Sequence, residues 1–405
     1  MNESRYDWLR DRWVLFAPNR YDRPDEYRTN GYRPRTARHV SPIDPDASDN
    51  CPFCLGNEHE TPPATLLLPA SGDSQQIPWS VRVVPNRFPA LTHGEFIPLH
   101  RDASLNAFVD GMEGINRGDW VDGPKVGERH RYPHRHFLFQ KRASRGVHEV
   151  FIESPDHVSS LTSLSLDHAA LVFQAYQRRL AHWRSFRDLR YAVIFKNYGS
   201  DAGASLSHAH SQLICTDFIP NDIAKIHDRM QAYWNEHQCC LLCASIEHEL
   251  QVAQRVIAQT EEFVAFCPFA SQLPGWVTIV PKRHGSEFNS CSDGELRDLA
   301  LLTQSVLRAI EIEFPSVSYN YVLQTAPFVS SGPPDSPHYH WSLEIIPRLC
   351  KVAGFEWGSN CYINTLLPET AARQFGSHFR THATCNPSPR TVPEPTAAPL
   401  AMKRS

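Results

Sequence analysis

"GASLSHAHSQL", residues 203–213, sets His208, His210 and Gln212 on alternate positions. A strand turns every second side chain to the same side. The spacing therefore predicts a strand with these three polar groups on one face and Ala209, Ser211 and Leu213 on the other. Taken alone, one His-x-His pair fits a polar strand facing solvent equally well. The surrounding sequence decides between the two.

Working outward, the chain runs through the same succession of segments twice. Each half opens with a Cys-x-x-Cys pair, Cys51 and Cys54 in "CPFC" and Cys240 and Cys243 in "CLLC". An aromatic-rich strand follows, "WSVRVVPNRFPAL" (79–91) and "EEFVAFCPFASQLPG" (261–275). Next comes a strand running into Pro and His, "VFIESPDH" (150–157) and "VTIVPKRH" (277–284). Helical apolar spacing marks "SLSLDHAALVFQAYQRRLAHW" (163–183) and "CSDGELRDLALLTQSVLRAI" (291–310). An apolar strand then precedes a loop and a final strand, "HAHSQLI" (208–214) or "HYHWSLEII" (338–346). This order predicts an α+β fold of two tandem domains, 1–220 and 221–380, each an antiparallel sheet with packed helices. Residues 100–147 lack a clean period and read as an insertion or loop. The segment 381–405, rich in Pro, Ala and Thr, reads as a disordered tail.

Composition narrows the function. The 405 residues carry a net charge of −4 with 21% charged side chains, so no strong field invites nucleic acid or an anionic membrane. No apolar run approaches the about 18 residues of a membrane helix. The opening "MNESRYDWLRDRWVLF" lacks the apolar core of a signal peptide, which points to the cytoplasm, where disulfides are rare. In that compartment the closely spaced cysteines among the eleven read as metal ligands or catalytic groups. The other seven, Cys215, Cys239, Cys267, Cys291, Cys350, Cys361 and Cys385, read as ordinary thiols.

Cys-x-x-Cys followed at a distance by histidines is a zinc pattern, and here it occurs in both halves. Two thiolates and two imidazoles satisfy a tetrahedral ion. The expected sets are Cys51, Cys54, His157 and His208, then Cys240, Cys243, His284 and His340, with His338 competing for the last place. Both would be closed structural sites, giving two zinc ions per chain. A buried hydrophobic helix is the plainer alternative for "CLLC". If His208 holds metal, His210 remains on the same face as a neutral imidazole, a nucleophile at neutral pH. Gln212 beside it can donate to a phosphate oxygen, and "NYGSDAGAS" (197–205) offers amides and hydroxyls for an anion.

At this point the sequence resembles the galactose-1-phosphate uridylyltransferases, a nucleotidyl-transferring branch of the histidine-triad superfamily. "HAHSQ" matches their His-x-His-x-Gln motif, and "CPFC", "NRFPAL", "SPDH", "FKNYG…GAS", "LPGWVTIVPKRH" and "GFEWG" follow in the family's order. The resemblance implies two histidine-triad-like domains and double displacement. His210 would take up a nucleotidyl group from a nucleotide sugar, and a sugar 1-phosphate would then resolve the adduct. It makes Gln212 the stabilising amide, Arg20, Arg23, Asn197 and Ser205 phosphate contacts, and Asn86 a nucleotide contact. Phe355 and Glu356 stand where the family contacts sugar, in enzymes usually built as homodimers with shared sites.

Two departures bear on the substrate. Ile226, beside His227, stands where the bacterial uridylyltransferases carry a metal-binding glutamate, and this chain has "CLLC" instead, as ADP-glucose phosphorylases do. Ser211 stands where uridylyltransferases typically carry Gly. The leading expectation is transfer of UMP from UDP-glucose to galactose 1-phosphate through uridylyl-His210. The alternative is ADP-glucose phosphorylase-type adenylyl transfer to phosphate by the same route. A non-enzymatic alternative, a zinc-ribbon protein binding nucleic acid, runs against the acidic balance.

Overall fold

The computed structural model describes residues 2–18, 51–69, 78–91, 144–328 and 336–380. Arg20, Arg23, the tail and nearly all of the 100–147 segment lie outside these residues. Strand β1 (Glu3–Asp7) and strand β2 (Arg12–Phe16) pair antiparallel, and a late strand, Tyr362–Asn364, joins β2 in parallel. The main sheet takes β3 (Leu66–Leu68), β4 (Val81–Pro85), β5 (Gly146–Ile152), β6 (Tyr191–Tyr198) and β7 (His210–Thr216) from the first half. From the second half it takes β8 (Val256–Gln259), β9 (Phe263–Phe266), β10 (Val277–Pro281), β11 (Tyr319–Gln324) and β12 (Ser342–Pro347). The late strand is β13.

These ten strands run in the order β3-β4-β5-β7-β6-β11-β12-β10-β9-β8, all antiparallel. Read inward from the two edges, both halves give the same succession, which is the sequence repeat in three dimensions. The expectation of one sheet per half is corrected: β6 and β11 pair from Tyr198↔Tyr319 to Val193↔Gln324 and fuse the halves into one sheet. Both strands are rich in apolar residues, and pairing them removes two edges that would otherwise offer unpaired backbone groups.

Helices cover one face. Helix α1 (Leu166–Arg184) starts at Ser165, whose side chain accepts from His168 N–H, and it buries Val172, Phe173, Tyr176, Leu180 and Trp183 along one stripe. After α2 (Asn221–His237) and α3 (Leu241–Val252) comes α4 (Asp293–Glu313), opened by a capping box between Ser292 and Glu295. Its Leu296, Leu299, Val306, Leu307 and Ile310 join the α1 stripe, Leu213 and Cys215 in a single core. The short α5 (Gly354–Ser359) and α6 (Pro368–Arg380) close the chain. Among the described residues no helix is long and apolar enough to cross a membrane.

Two boundaries differ from expectation. The 100–147 segment, read from the sequence as an insertion or loop, runs into a strand at its end, since β5 starts at Gly146. A Cβ there would lie 2.3 Å from the Cys215 carbonyl oxygen and 2.4 Å from Leu91 Cδ1, so close strand packing requires glycine. The His-x-His strands also begin late, at His210 and Ser342, leaving His208, His338 and His340 in the approaches. Ala209 bonds outside the ladder: its N–H donates to the Val158 carbonyl (2.6 Å) and its carbonyl accepts from Glu153 N–H (3.1 Å). His208 is thereby anchored to the segment that carries His157.

Candidate functional site

Leu213 and Cys215 of β7 enter the helix-side core, so His210 and Gln212 project from the opposite face. The first metal-type cluster sits at the start of that strand. Cys51 and Cys54 share a tight turn in which Cys54 N–H donates to the Cys51 carbonyl (3.2 Å). Leu55 N–H ties the turn to the Pro155 carbonyl (2.9 Å), two residues before His157. Cys51, Cys54, His157 and His208 are all buried, with ligand atoms within 4.8 Å of one another. Cys54 Sγ lies 3.3 Å from His157 Nδ1 and 3.5 Å from His208 Nδ1, and Cys51 Sγ lies 3.6 Å from His208 Nδ1.

The far ring nitrogen fixes the tautomer of His208. His208 Nε2–H donates to the Ser154 carbonyl (2.9 Å), and His157 Nε2 meets Ser207 Oγ (3.1 Å). The His208 Nδ1 lone pair therefore faces the thiols, the outer-shell arrangement typical of metal-binding histidines. Burial pushes the His208 imidazolium down to about 3, which keeps the ring in its ligating neutral form. Metal–sulfur bonds of about 2.3 Å and metal–nitrogen bonds of about 2.0 Å give a tetrahedral S···N edge of about 3.5 Å, close to what is seen.

The second cluster repeats the first. Cys243 Sγ lies 3.4 Å from both His284 Nδ1 and His340 Nδ1, and Cys240 Sγ lies 4.0 Å from His340 Nδ1. His340 Nε2–H donates to the Pro281 carbonyl (3.0 Å) and His284 Nε2–H to the Ser336 carbonyl (3.3 Å). Of the competing histidines, His340 joins the cluster, while His338 Nε2 turns to His227 Nε2 at 3.0 Å. The "CLLC" segment runs into a helix, since α3 begins directly after Cys240, with Cys240 buried and Cys243 half-buried in the cluster. Each group could hold a metal ion, with four protein donors and no position left open.

His210 is set apart from the cluster beside it. Its Nδ1–H donates to the His208 carbonyl at 2.7 Å, so the lone pair sits on Nε2, which has no hydrogen-bond partner among the described residues. Burial lowers its pKa and keeps the ring neutral. Phe53, between the two cysteines of "CPFC", packs against it with ring centroids 5.4 Å apart. Behind the strand, the fully buried Lys196–Glu153 ion pair (2.6 Å) also reaches the site, because Lys196 Nζ donates to the His210 carbonyl (3.2 Å). Gln212 Oε1 meets His148 Nε2 at 2.7 Å, and Asn86 Nδ2 lies 3.1 Å from the same nitrogen.

Sequence comparisons give this constellation its context. A family model described as a domain of unknown function, DUF4921, matches residues 150–382. An ADP-glucose phosphorylase of Arabidopsis thaliana is 30% identical over 372 residues, covering 92% of this chain and 91% of its own. A galactose-1-phosphate uridylyltransferase of Thermotoga maritima is 27% identical over 385 residues, covering 92% and 98%. This chain belongs to the galactose-1-phosphate uridylyltransferase family. Its fold also matches a crystal structure of the Arabidopsis thaliana ADP-glucose phosphorylase with bound ADP-glucose, at a TM-score of 0.70 and 28% identity over 93% of this chain and 99% of that one.

The remaining residues expected from the family fall into place unevenly. Asn86 lies beside Gln212, with its Oδ1 accepting from Phe88 N–H (2.8 Å). Asn197 Oδ1 accepts from Asn320 Nδ2 (2.7 Å) beneath the loop after β6, and Ser205 is exposed on that loop. The loop makes a poorer anion cradle than expected. Ala202 and Ala204 N–H donate to the Gly199 carbonyl and Gly203 N–H to that of Ser200, so three amides close its own turn. Gly199 (φ +79°) and Gly203 (φ +86°) make that turn possible. Phe355 and Glu356 make no contact with the His210 group among the described residues; Glu356 caps its own helix through Ala353 N–H (3.0 Å). Ile226 packs beside Met230, Cys240 and Tyr339.

Ser211 lies on the face that the alternation predicts. It points away from His210, and its Oγ accepts from Tyr176 OH at 2.6 Å inside the core. It therefore cannot choose between nucleotide bases by touching them. Ser211→Gly should cost about 1–2 kcal/mol through the lost hydrogen bond and a flexible strand residue, read as a lower urea midpoint. The ratio of rates on adenine and uridine nucleotide sugars should stay unchanged; a shifted ratio would restore a specificity role.

Proposed function

We propose that this chain is a nucleotidyltransferase working by double displacement through a nucleotidyl-histidine on His210. The supporting observation is the Nδ1–H bond to the His208 carbonyl, which leaves the Nε2 lone pair on the face that carries Gln212. Nε2 attacks the α-phosphorus of a nucleotide sugar, and the bond to the bridging oxygen breaks, its electron pair leaving with the sugar 1-phosphate. An acceptor phosphate oxygen then attacks the same phosphorus and returns the electron pair to Nε2. Positive charge that builds on the ring in the adduct is met by the carbonyl already accepting from Nδ1. Gln212 donates to a phosphoryl oxygen, and Arg20, Arg23, Asn86, Asn197 and Ser205 are assigned to phosphate and nucleotide. Zinc in both Cys2His2 clusters is structural: when bound, it locks the Cys-x-x-Cys turns to the sheet.

Two features favour ADP-glucose with inorganic phosphate as acceptor: paired Cys2His2 clusters, and 30% identity with an ADP-glucose phosphorylase over nine-tenths of both chains. The second reading, UMP transfer between UDP-glucose and galactose 1-phosphate, is favoured by the relative from Thermotoga maritima. A cytoplasmic homodimer completes the proposal. Trp8, Trp13, Phe355 and Trp357 are each exposed, and we assign them to contact with a second copy, whose site Phe355 and Glu356 would then complete. Incubation with ADP-glucose or UDP-glucose alone, followed by intact-mass measurement, tests the chemistry and the base together. The expected product is an acid-labile adenylyl adduct; a uridylyl adduct selects the second reading, and no adduct with either defeats the mechanism.

A further inference from the structure

We propose that His148 is a positioning residue that locks the Gln212 amide with its NH2 group toward the phosphoryl group in transfer. The inference rests on the nucleotidyl-transfer reading above. His148 lies on β5 beside β7 and faces the same side as Gln212. Its ring is fixed from both ends. Ala90 N–H donates to His148 Nδ1 at 3.2 Å, and a backbone amide can only donate, so Nδ1 must carry the lone pair. A neutral imidazole with its lone pair on Nδ1 carries its proton on Nε2. Nε2 lies 2.7 Å from Gln212 Oε1, so that atom is the acceptor and the carboxamide is held with oxygen inward. Burial lowers the His148 pKa, in keeping with a neutral ring.

Asn86 does not contribute to the assignment, because its NH2 and the Nε2–H are two donors facing each other at 3.1 Å. Its Oδ1 already accepts from Phe88 N–H at 2.8 Å, which leaves its NH2 beside Nε2 with no lone pair there to receive it. With its oxygen held by Nε2–H, the Gln212 carboxamide presents its N–H groups outward. For Gln212 the orientation matters, because a glutamine free to rotate can set its oxygen against a phosphoryl oxygen, two acceptors facing each other. A donor fixed before the reaction needs no reorganisation as charge spreads over the phosphoryl oxygens. The strand register does this work. His148 is opposite Ile214 and Val150 is opposite Gln212, so the histidine reaches its partner diagonally across the pair.

The test is a double-mutant cycle on the rate of His210 adduct formation from the nucleotide sugar that labels the wild type. Gln212→Ala should slow that step about a hundredfold, as loss of one transition-state donor does. His148→Leu should slow it about tenfold while nucleotide-sugar affinity changes less than about twofold, the mark of a lost orientation and not a lost contact. In the Gln212→Ala background the His148→Leu effect should fall to within about twofold. If leucine destabilises β5, His148→Asn, whose shorter amide falls short of Gln212, runs the same cycle. Equal slowing by the His148 change in both backgrounds would overturn the inference while leaving the covalent mechanism standing. Wild-type protein that takes up no nucleotide sinks the mechanism and this inference with it.

Discussion

His210→Asn should yield a folded protein that takes up no nucleotide and turns over about ten-thousandfold or more slowly, as measured by intact mass and by sugar-phosphate exchange. The asparagine amide can still donate to the His208 carbonyl, as Nδ1–H does at 2.7 Å in the native chain. It has no lone-pair nitrogen with which to bond phosphorus. The metal-type cluster beside it keeps all four donors, so metal content and unfolding midpoint should stay near wild type. That combination separates chemistry from architecture. His208→Asn removes a cluster donor and should lower metal content, stability and rate together. If His210→Asn still forms the adduct, another group attacks and the assignment is wrong.

Much of this was readable from the chain because function and fold use the same spacing. The alternation from His210 to Gln212 is strand geometry, and the two Cys-x-x-Cys pairs carry their partners at matching places in each half, so the clusters could be named in advance. What could not be read was pairing between distant strands. Nothing local in "YAVIFKNY" or "YNYVLQ" says that these two strands join, yet that contact turns two expected sheets into one. His148 was invisible for the same reason: it sits at the edge of an unpatterned segment, and only the β5–β7 register brings it to Gln212. Ser211 was placed opposite His210 by strand parity, which does not say which face is covered. That its face is the buried one follows from α1 packing there with Tyr176. Nothing local marks Lys196 and Glu153 as partners, and their burial appears only once the helices cover that face.

Cys51→Ser should remove about one metal equivalent per chain and lower the unfolding midpoint by about 10 °C. The magnitude comes from chain entropy. The Cys54–His157 contact joins residues separated by 103 positions, and a cross-link closing a loop that long is worth about 4–5 kcal/mol. The site should suffer as well. The CPFC turn holds Phe53 against the His210 ring, and the cluster holds His208, whose carbonyl orients that ring. Adduct formation should therefore slow by about a hundredfold, since a nucleophile displaced by about 1 Å loses most of its alignment. Cys240→Ser provides the contrast. Its cluster closes a comparable 100-residue separation to His340 but lies in the second half, and among the described residues it makes no hydrogen bond to His210 or Gln212. It should cost similar stability while the adduct rate stays within about tenfold of wild type. Metal analysis, thermal unfolding and single-turnover labelling on the two variants decide the matter. Unchanged metal content in Cys51→Ser would show that the first cluster is a set of buried thiols and imidazoles only, and the anchoring of His210 would then need another cause.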